Sequence, residues 1–169
     1  MKNKLNINLN SKFKLFILLA FIFFIIDRFI KYQLISYFQN SEIKVITINK
    51  YFDIIMVWNK GISYGLFPQH SDIGQYTIIT LSIIVCIWIY RYLIRSDFKY
   101  KLMSISLIIP GAFSNIMDRV IYSSVADFFY LHVGSVGWYV FNLADIYIVT
   151  GVMILILATF YPNIRLSIK

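Results

Sequence analysis

The chain of 169 residues is 59% hydrophobic and 18% aromatic, with a mean hydropathy of +0.70, whereas an ordinary soluble domain is roughly 45–50% apolar. That composition excludes a water-soluble globular domain and indicates an integral membrane protein. The formal net charge of +8 argues little for nucleic acid, because the cations fall mainly in short segments beside apolar runs, where orientation signals belong. The single cysteine, Cys86, excludes an intramolecular disulfide and reads as a buried small hydrophobe.

The first 14 residues carry Lys2, Lys4, Lys12 and Lys14 ahead of an apolar run from Leu15 to Ile26. A basic start before an apolar centre is the pattern of a secretory signal. Here the run passes straight into Asp27-Arg28-Phe29-Ile30-Lys31 with no small-x-small site, so a retained first transmembrane helix over about 14–38 is expected. Asp27 and Lys31 lie four residues apart and share a helix face, where they can pair. That pair either ends the span at the interface or serves a site; Arg28 is expected to point elsewhere and snorkel.

No segment between Asn40 and Gln75 is long or apolar enough to span. Ile43–Ile48 and Phe52–Trp58 instead read as short strands within an extended region of about 42–59. The following Asn59-Lys60-Gly61-Ile62-Ser63-Tyr64-Gly65-Leu66-Phe67-Pro68 reads as a loop in which Gly61 and Gly65 permit tight turns, or as a short interfacial element. A second span is expected over about 76–93, with Trp88, Tyr90 and Tyr92 as an aromatic belt. A third covers about 102–119, contains Pro110-Gly111 and should bend there. Two further strands are expected within about 127–141, around Gly134-Ser135-Val136-Gly137, and a fourth span over about 142–161.

Four spans place both termini on one side. Lysine and arginine concentrate in the N-terminal segment, in the link carrying Arg91, Arg95, Lys99 and Lys101, and in the tail with Arg165 and Lys169, which makes these segments cytoplasmic. The expected fold class is therefore an all-α integral membrane protein in a single domain: four transmembrane helices with a small extracytoplasmic β-cradle.

Asp118, Asp127 and Asp145 then fall at the outer face. Asp127 lies between the third and fourth spans, in an outer loop, and Asp145 about one turn inside the fourth, so the two can meet if the loop folds inward. Two close carboxylates titrate apart, one serving as base while the other stays protonated and polarises a carbonyl, which suits water attack on a peptide bond. His70 and His132 occupy different segments without metal-ligand spacing, and no serine elbow is present, so neither metal nor serine chemistry is expected. Asn115 shares a helical face with Asp118 and Arg119. Arg119 is expected either to neutralise Asp118 or to hold a peptide carbonyl, and Asn142 to orient Asp145 by hydrogen bonding.

Asp27-Arg28-Phe29-Ile30-Lys31, Asn59-Lys60-Gly61-Ile62-Ser63-Tyr64-Gly65, Asn115-Ile116-Met117-Asp118-Arg119, Val125-Ala126-Asp127-Phe128 and Phe141-Asn142-Leu143-Ala144-Asp145 follow one another along the chain. Taken in this order, they resemble the successive blocks of lipoprotein signal peptidase, signal peptidase II. The resemblance implies an aspartic endopeptidase of the bacterial inner membrane. Such an enzyme removes signal peptides from prolipoproteins just before a diacylglyceryl-modified cysteine and uses no cofactor. It further implies Asp127 and Asp145 as the catalytic pair. Asn59, Gly61, Asn115, Arg119 and Asn142 would hold substrate or site, Asp118, Asp27 and Lys31 would support it, and globomycin-type cyclic peptides would inhibit it. Ser114 stands where the family commonly has glycine, Tyr64 where it has phenylalanine, and Ala126 where another small or apolar residue is commoner. The rival reading is a four-helix transporter relaying protons through Asp27, Asp118 and Asp145. A membrane assembly factor that presents its strands to a partner is a third.

Overall fold

A computed structural model describes residues 2–61, 71–95 and 100–160. The element order is α1 (Lys2–Asn40), β1 (Val45–Asn49), β2 (Phe52–Asn59), α2 (Asp72–Arg95), α3 (Lys101–Tyr122), β3 (Val125–Val133), β4 (Val136–Phe141) and α4 (Leu143–Phe160). Residues 62–68 of the glycine-containing loop, His70, Lys99, Arg165 and Lys169 lie outside the described residues. α1 is 39 residues long, about 58 Å at a rise of about 1.5 Å per residue. α3 continues through Pro110 to Tyr122. By length and composition α2 qualifies as a membrane span through Asp72–Tyr92, with a mean hydropathy of 1.8, and α4 contributes a shorter apolar stretch, Leu143–Leu157.

The two strand-like regions form one four-stranded antiparallel sheet in the order β1-β2-β3-β4. The central pairing, β2 with β3, aligns Val57 with Asp127 and Asn59 with Val125. Asp127 therefore lies on a strand and not on the loop the sequence suggested. Ladder hydrogen bonds fix its direction, which a loop would leave free.

Successive side chains of a strand point to opposite faces of the sheet, and one of those faces covers the end of α1. Ala126 and Phe128 of β3 pack with Ile35 and Phe38 near the end of α1, and Ile46, Ile54, Met56 and Trp58 close the cluster. The side chain of Asp127, between Ala126 and Phe128 in sequence, is turned the other way. The chain reverses between α3 and β3 at Ser123, which holds the left-handed conformation (φ 53°) and donates its N–H to the Arg119 carbonyl at 3.0 Å. Only Ser123 and Ser124 separate helix from strand, so Asp127 returns over the end of α3.

α3 packs closely on α4 through Gly111. A Cβ at this position would stand 2.7 Å from the carbonyl oxygen of Ala144, immediately before Asp145. Backbone cannot yield as a side chain can, so Gly111→Ala must push the helices apart. The expected cost is about 1–3 kcal/mol, read as a lowered unfolding temperature in detergent and accompanied by loss of activity. Phe21 and Phe29 of α1, Trp88 of α2 and Val149 of α4 are exposed, which leaves an apolar surface around the bundle. Cys86 is half-buried, not buried as its apolar neighbours suggested, because its stretch of α2 has only one face packed.

Candidate active site

The sheet end of the bundle collects polar side chains from six elements. α4 begins at Asn142, where the side chain and that of the third helical residue cap each other. Asn142 Oδ1 accepts the Asp145 N–H at 3.0 Å, and Asp145 Oδ2 accepts the Asn142 N–H at 3.1 Å. The remaining amide group, Asn142 Nδ2, donates to Asp127 Oδ1 at 2.6 Å. Asn142 thus orients Asp145 as expected, but from the cap position before the helix, and it holds Asp127 as well. One residue joins both carboxylates.

Each carboxylate has a second amide donor. Asn59 and Asp127 are diagonal neighbours on adjacent strands, and Asn59 Nδ2 donates to Asp127 Oδ2 at 3.0 Å and to the Tyr139 hydroxyl at 2.9 Å. Asn59 Oδ1 accepts the N–H of Gly61 at 2.9 Å, which turns the chain after β2. Asn115 Nδ2 donates to Asp145 Oδ1 at 2.9 Å. Asp127 is 1% exposed. Burial and the neighbouring Asp145 charge push its pKa up to about 7, against the opposing pull of the two asparagine amides and Lys31.

Arg119 does not pair with Asp118. Its Nη2 donates to the Gly61 carbonyl at 2.8 Å and its Nη1 to the Asn115 carbonyl at 3.3 Å, tying the end of β2 to α3. Asp118 is taken by α1 instead, through Arg28 Nη1 and through Lys31 Nζ at 2.6 Å, and it also accepts the Ala126 N–H at 3.4 Å. Arg28, expected to snorkel, is drawn inward by this buried carboxylate. Asp27 and Lys31 do lie together, at 3.6 Å, yet Asp118 is the nearer partner of Lys31. Ser114 donates to Asp27 Oδ2 at 2.5 Å, so the serine at this position supplies a hydroxyl that glycine would lack. Asp27 and Asp118 are closed inside this ion-pair cluster, whereas Asp145 faces a cavity, an arrangement that disfavours a three-aspartate relay.

The cavity, about 140 Å³, is lined by Asn59, Asn115, Arg119, Asp127, Tyr139 and Asp145 on its polar side and by Ile78, Ala112 and Ile148 among its apolar residues. A second, apolar cavity of about 330 Å³ between α2, α3 and α4 shares Ile78, Ser82, Ala112 and Ile148 with it. His132 lies elsewhere on the sheet, stacked on Tyr130 with Nε2 3.1 Å from Asp53 Oδ2. Tyr139, Arg28 and Ser114 are the contributors that motif reading passed over. The alternation of β4 and the four-residue spacing of Ser114 from Asp118 were the available signals.

Helices carrying a small sheet, with two amide-clasped carboxylates facing a pocket at their junction, are the framework of a membrane enzyme. A solved bacterial membrane enzyme superposes with a TM-score of 0.68 at 25% identity, over 92% of this chain and 95% of that one. Another superposes at 0.74 with 24% identity, over 92% and 93%. The family model described as signal peptidase (SPase) II matches residues 19–161. The lipoprotein signal peptidase of Beijerinckia indica is 38% identical over 85% of this chain and 86% of its own. That of Rhodopseudomonas palustris is 35% identical over 85% and 90%, and that of Methylobacterium radiotolerans 42% over 67% and 66%. The chain belongs to the signal peptidase II family, and is accordingly a bacterial membrane protease of the aspartic type.

Proposed function

We propose that this protease removes signal peptides from prolipoproteins on the N-terminal side of a diacylglyceryl-modified cysteine, with Asp127 and Asp145 as its catalytic pair. The observation that carries the reading is the double engagement of Asn142, which holds one oxygen of each carboxylate at the rim of a shared cavity. Asp127, whose pKa of about 7 leaves a large share of the protein protonated there near neutral pH, polarises the scissile carbonyl in that form. Asp145, at the N-terminus of α4 where the helix dipole favours negative charge, takes a proton from water as that water attacks the carbonyl carbon. The Asp127 proton passes to the carbonyl oxygen. Collapse of the tetrahedral diol then breaks the C–N bond: one diol hydroxyl returns its proton to Asp127 as the carboxylic acid forms, and the leaving amine takes the proton held by Asp145, which restores both side chains to their starting states. Arg119 Nε is buried with no hydrogen-bond partner, a donor suited to a substrate carbonyl. Gly61, tied to Arg119, sets that side of the pocket.

The polar and apolar cavities share Ile78, Ser82, Ala112 and Ile148 as walls, an adjacency that suits an amphiphilic substrate whose peptide meets the carboxylates while its lipid remains among the helices. Globomycin-type cyclic lipopeptides, with the same division of polarity, are expected to compete for this space. Chelators are expected to have no effect, because the proposed reaction needs only the carboxylate pair and water, and the described residues bring together no group of three or more His, Cys, Asp or Glu side chains that could hold a metal. Four membrane crossings within about 14–38, 76–93, 102–119 and 142–161 are supported by the exposed apolar side chains of the helices and by the mutual burial of charges from α1 and α3. The lysine and arginine distribution supports cytoplasmic termini, with the sheet and carboxylates on the outer face of the inner membrane.

Cleavage of a purified prolipoprotein in detergent–lipid micelles, followed by gel shift, tests the function. The lipidated precursor should be cut, in the presence of EDTA as in its absence, and the same precursor without its diacylglyceryl group should remain intact. Equal cleavage of both precursors, or loss with EDTA that zinc restores, would overturn the proposal.

A further inference from the structure

Lys31 has its ammonium 2.8 Å from Asn115 Oδ1, 2.6 Å from Asp118 Oδ2 and 3.6 Å from Asp27 Oδ2. It is 1% exposed. An ammonium can only donate, whereas a carboxamide presents an acceptor on one side and a donor on the other. Once Lys31 claims the oxygen of Asn115, the amide nitrogen is left facing outward, and it is this nitrogen that donates to Asp145 Oδ1 at 2.9 Å. Without the ammonium, the same carboxamide could turn over and present its oxygen to Asp145, a geometry that suits a protonated carboxyl and opposes an ionised one.

We propose that Lys31 is a positioning residue for the proteolytic reaction: through Asn115 it fixes the donor that holds Asp145 ionised, while its buried charge acts on the carboxylate pair as a whole. This goes beyond neutralising Asp118, for which Arg28 is already present. It rests on the assignment of Asp127 and Asp145 as the catalytic pair. The charged and titratable groups around this relay are Asp27 and Arg28 of α1, Asp118 and Arg119 of α3, Asp127 of β3, Tyr139 of β4, and Asp145 and Tyr147 of α4. Among them Lys31 is the cation joined to the pair through a single side chain, and its field opposes the upward displacement of the Asp127 pKa. Removing that field makes each ionisation of the pair harder, so both limbs of a bell-shaped rate profile move to higher pH.

Lys31→Met alone leaves Asp118 with one cation fewer, so the variant to read is Lys31→Met with Asp118→Asn, which keeps the cluster neutral overall. Lys31→Gln, which keeps a donor but no charge, is measured beside it. Each is purified in micelles and scored for unfolding temperature, KM, kcat and the pH dependence of kcat/KM on a lipidated precursor. The expected result for the double variant is a KM within about twofold of the parent, a kcat at least about tenfold lower, and a profile displaced to higher pH. Lys31→Gln should share the displacement and lose less kcat. A folded double variant with the parental kcat and pH profile would overturn the proposal. If only Lys31→Gln folds, a parental profile in that variant would do the same. Asp127→Asn runs as a control: if it retained cleavage the assignment of the pair would fall, a result distinct from failure of the Lys31 relay.

Discussion

Replacement of Asp127 or Asp145 by asparagine is expected to lower kcat by roughly 10²–10⁴-fold, the usual contribution of a positioned acid or base, with KM little changed. Asparagine at either position nearly preserves side-chain volume but cannot exchange a proton at neutral pH. The two losses should not add, because a pair that shares one proton and one water works as a unit. The local cost of the changes also differs in kind. Asn142 and Asn59 each direct an amide N–H at an oxygen of Asp127. One of them must therefore face the new NH2 group of Asp127→Asn, and Asn142 cannot turn over to relieve the clash because its own oxygen caps α4. Asp127→Asn should accordingly show a lowered unfolding temperature as well as lost activity. Gel-shift assays and unfolding curves on the same micellar samples would measure both. Parental cleavage by either variant would remove the carboxylate pair from the mechanism.

The second large effect is on pH. Burial and the Asp145 charge raise Asp127 to about 7, and the proposed reaction uses its protonated form. Activity should therefore fall as pH rises through this value, by about tenfold in kcat/KM per pH unit on the descending limb. Stability follows the same sign. The folded state holds this proton between the ordinary carboxylate value and about 7 while the unfolded chain has released it, so the contribution of Asp127 to stability is largest in acid and declines as pH rises through about 7. Initial rates from pH 5 to 9, with a lipidated precursor well below its KM, would locate the limb. A rate that climbs steadily across that range would exclude a protonated Asp127 from the working form.

The strands, the helices and the family were readable from residue patterns because each has a local cause. β-Branched and aromatic content marks β2 and β3, apolar length marks α2, and the Asn-Leu-Ala-Asp start of α4 carries its capping signature. Asp127 and Asp145 were identifiable because carboxylates between apolar segments are costly. Pairings were not readable in the same way. That β2 joins β3, carrying Asp127 onto a strand, depends on contacts between segments about 70 residues apart. The partner of Asp118 could not be chosen from spacing either: Arg119 is adjacent in sequence but points toward Gly61, while Arg28 and Lys31 arrive from another helix. Helical spacing constrains neighbours within an element and says nothing about which helix lies opposite.

The ion cluster between α1 and α3 also has a consequence in time. Lys31 meets Asn115 and Asp118 at sequence separations of 84 and 87 residues, and Arg28 meets Asp118 at a separation of 90. At a synthesis rate of about 5–20 residues per second, α1 leaves the ribosome about 4–18 s before its partners exist. Throughout that interval Lys31 has Asp27 of its own helix beside it, while both Arg28 and Lys31 lack the Asp118 carboxylate that holds them in the folded protein. Folding of this protease thus includes an interval in which the cations of α1 precede the carboxylate that later locks them in place.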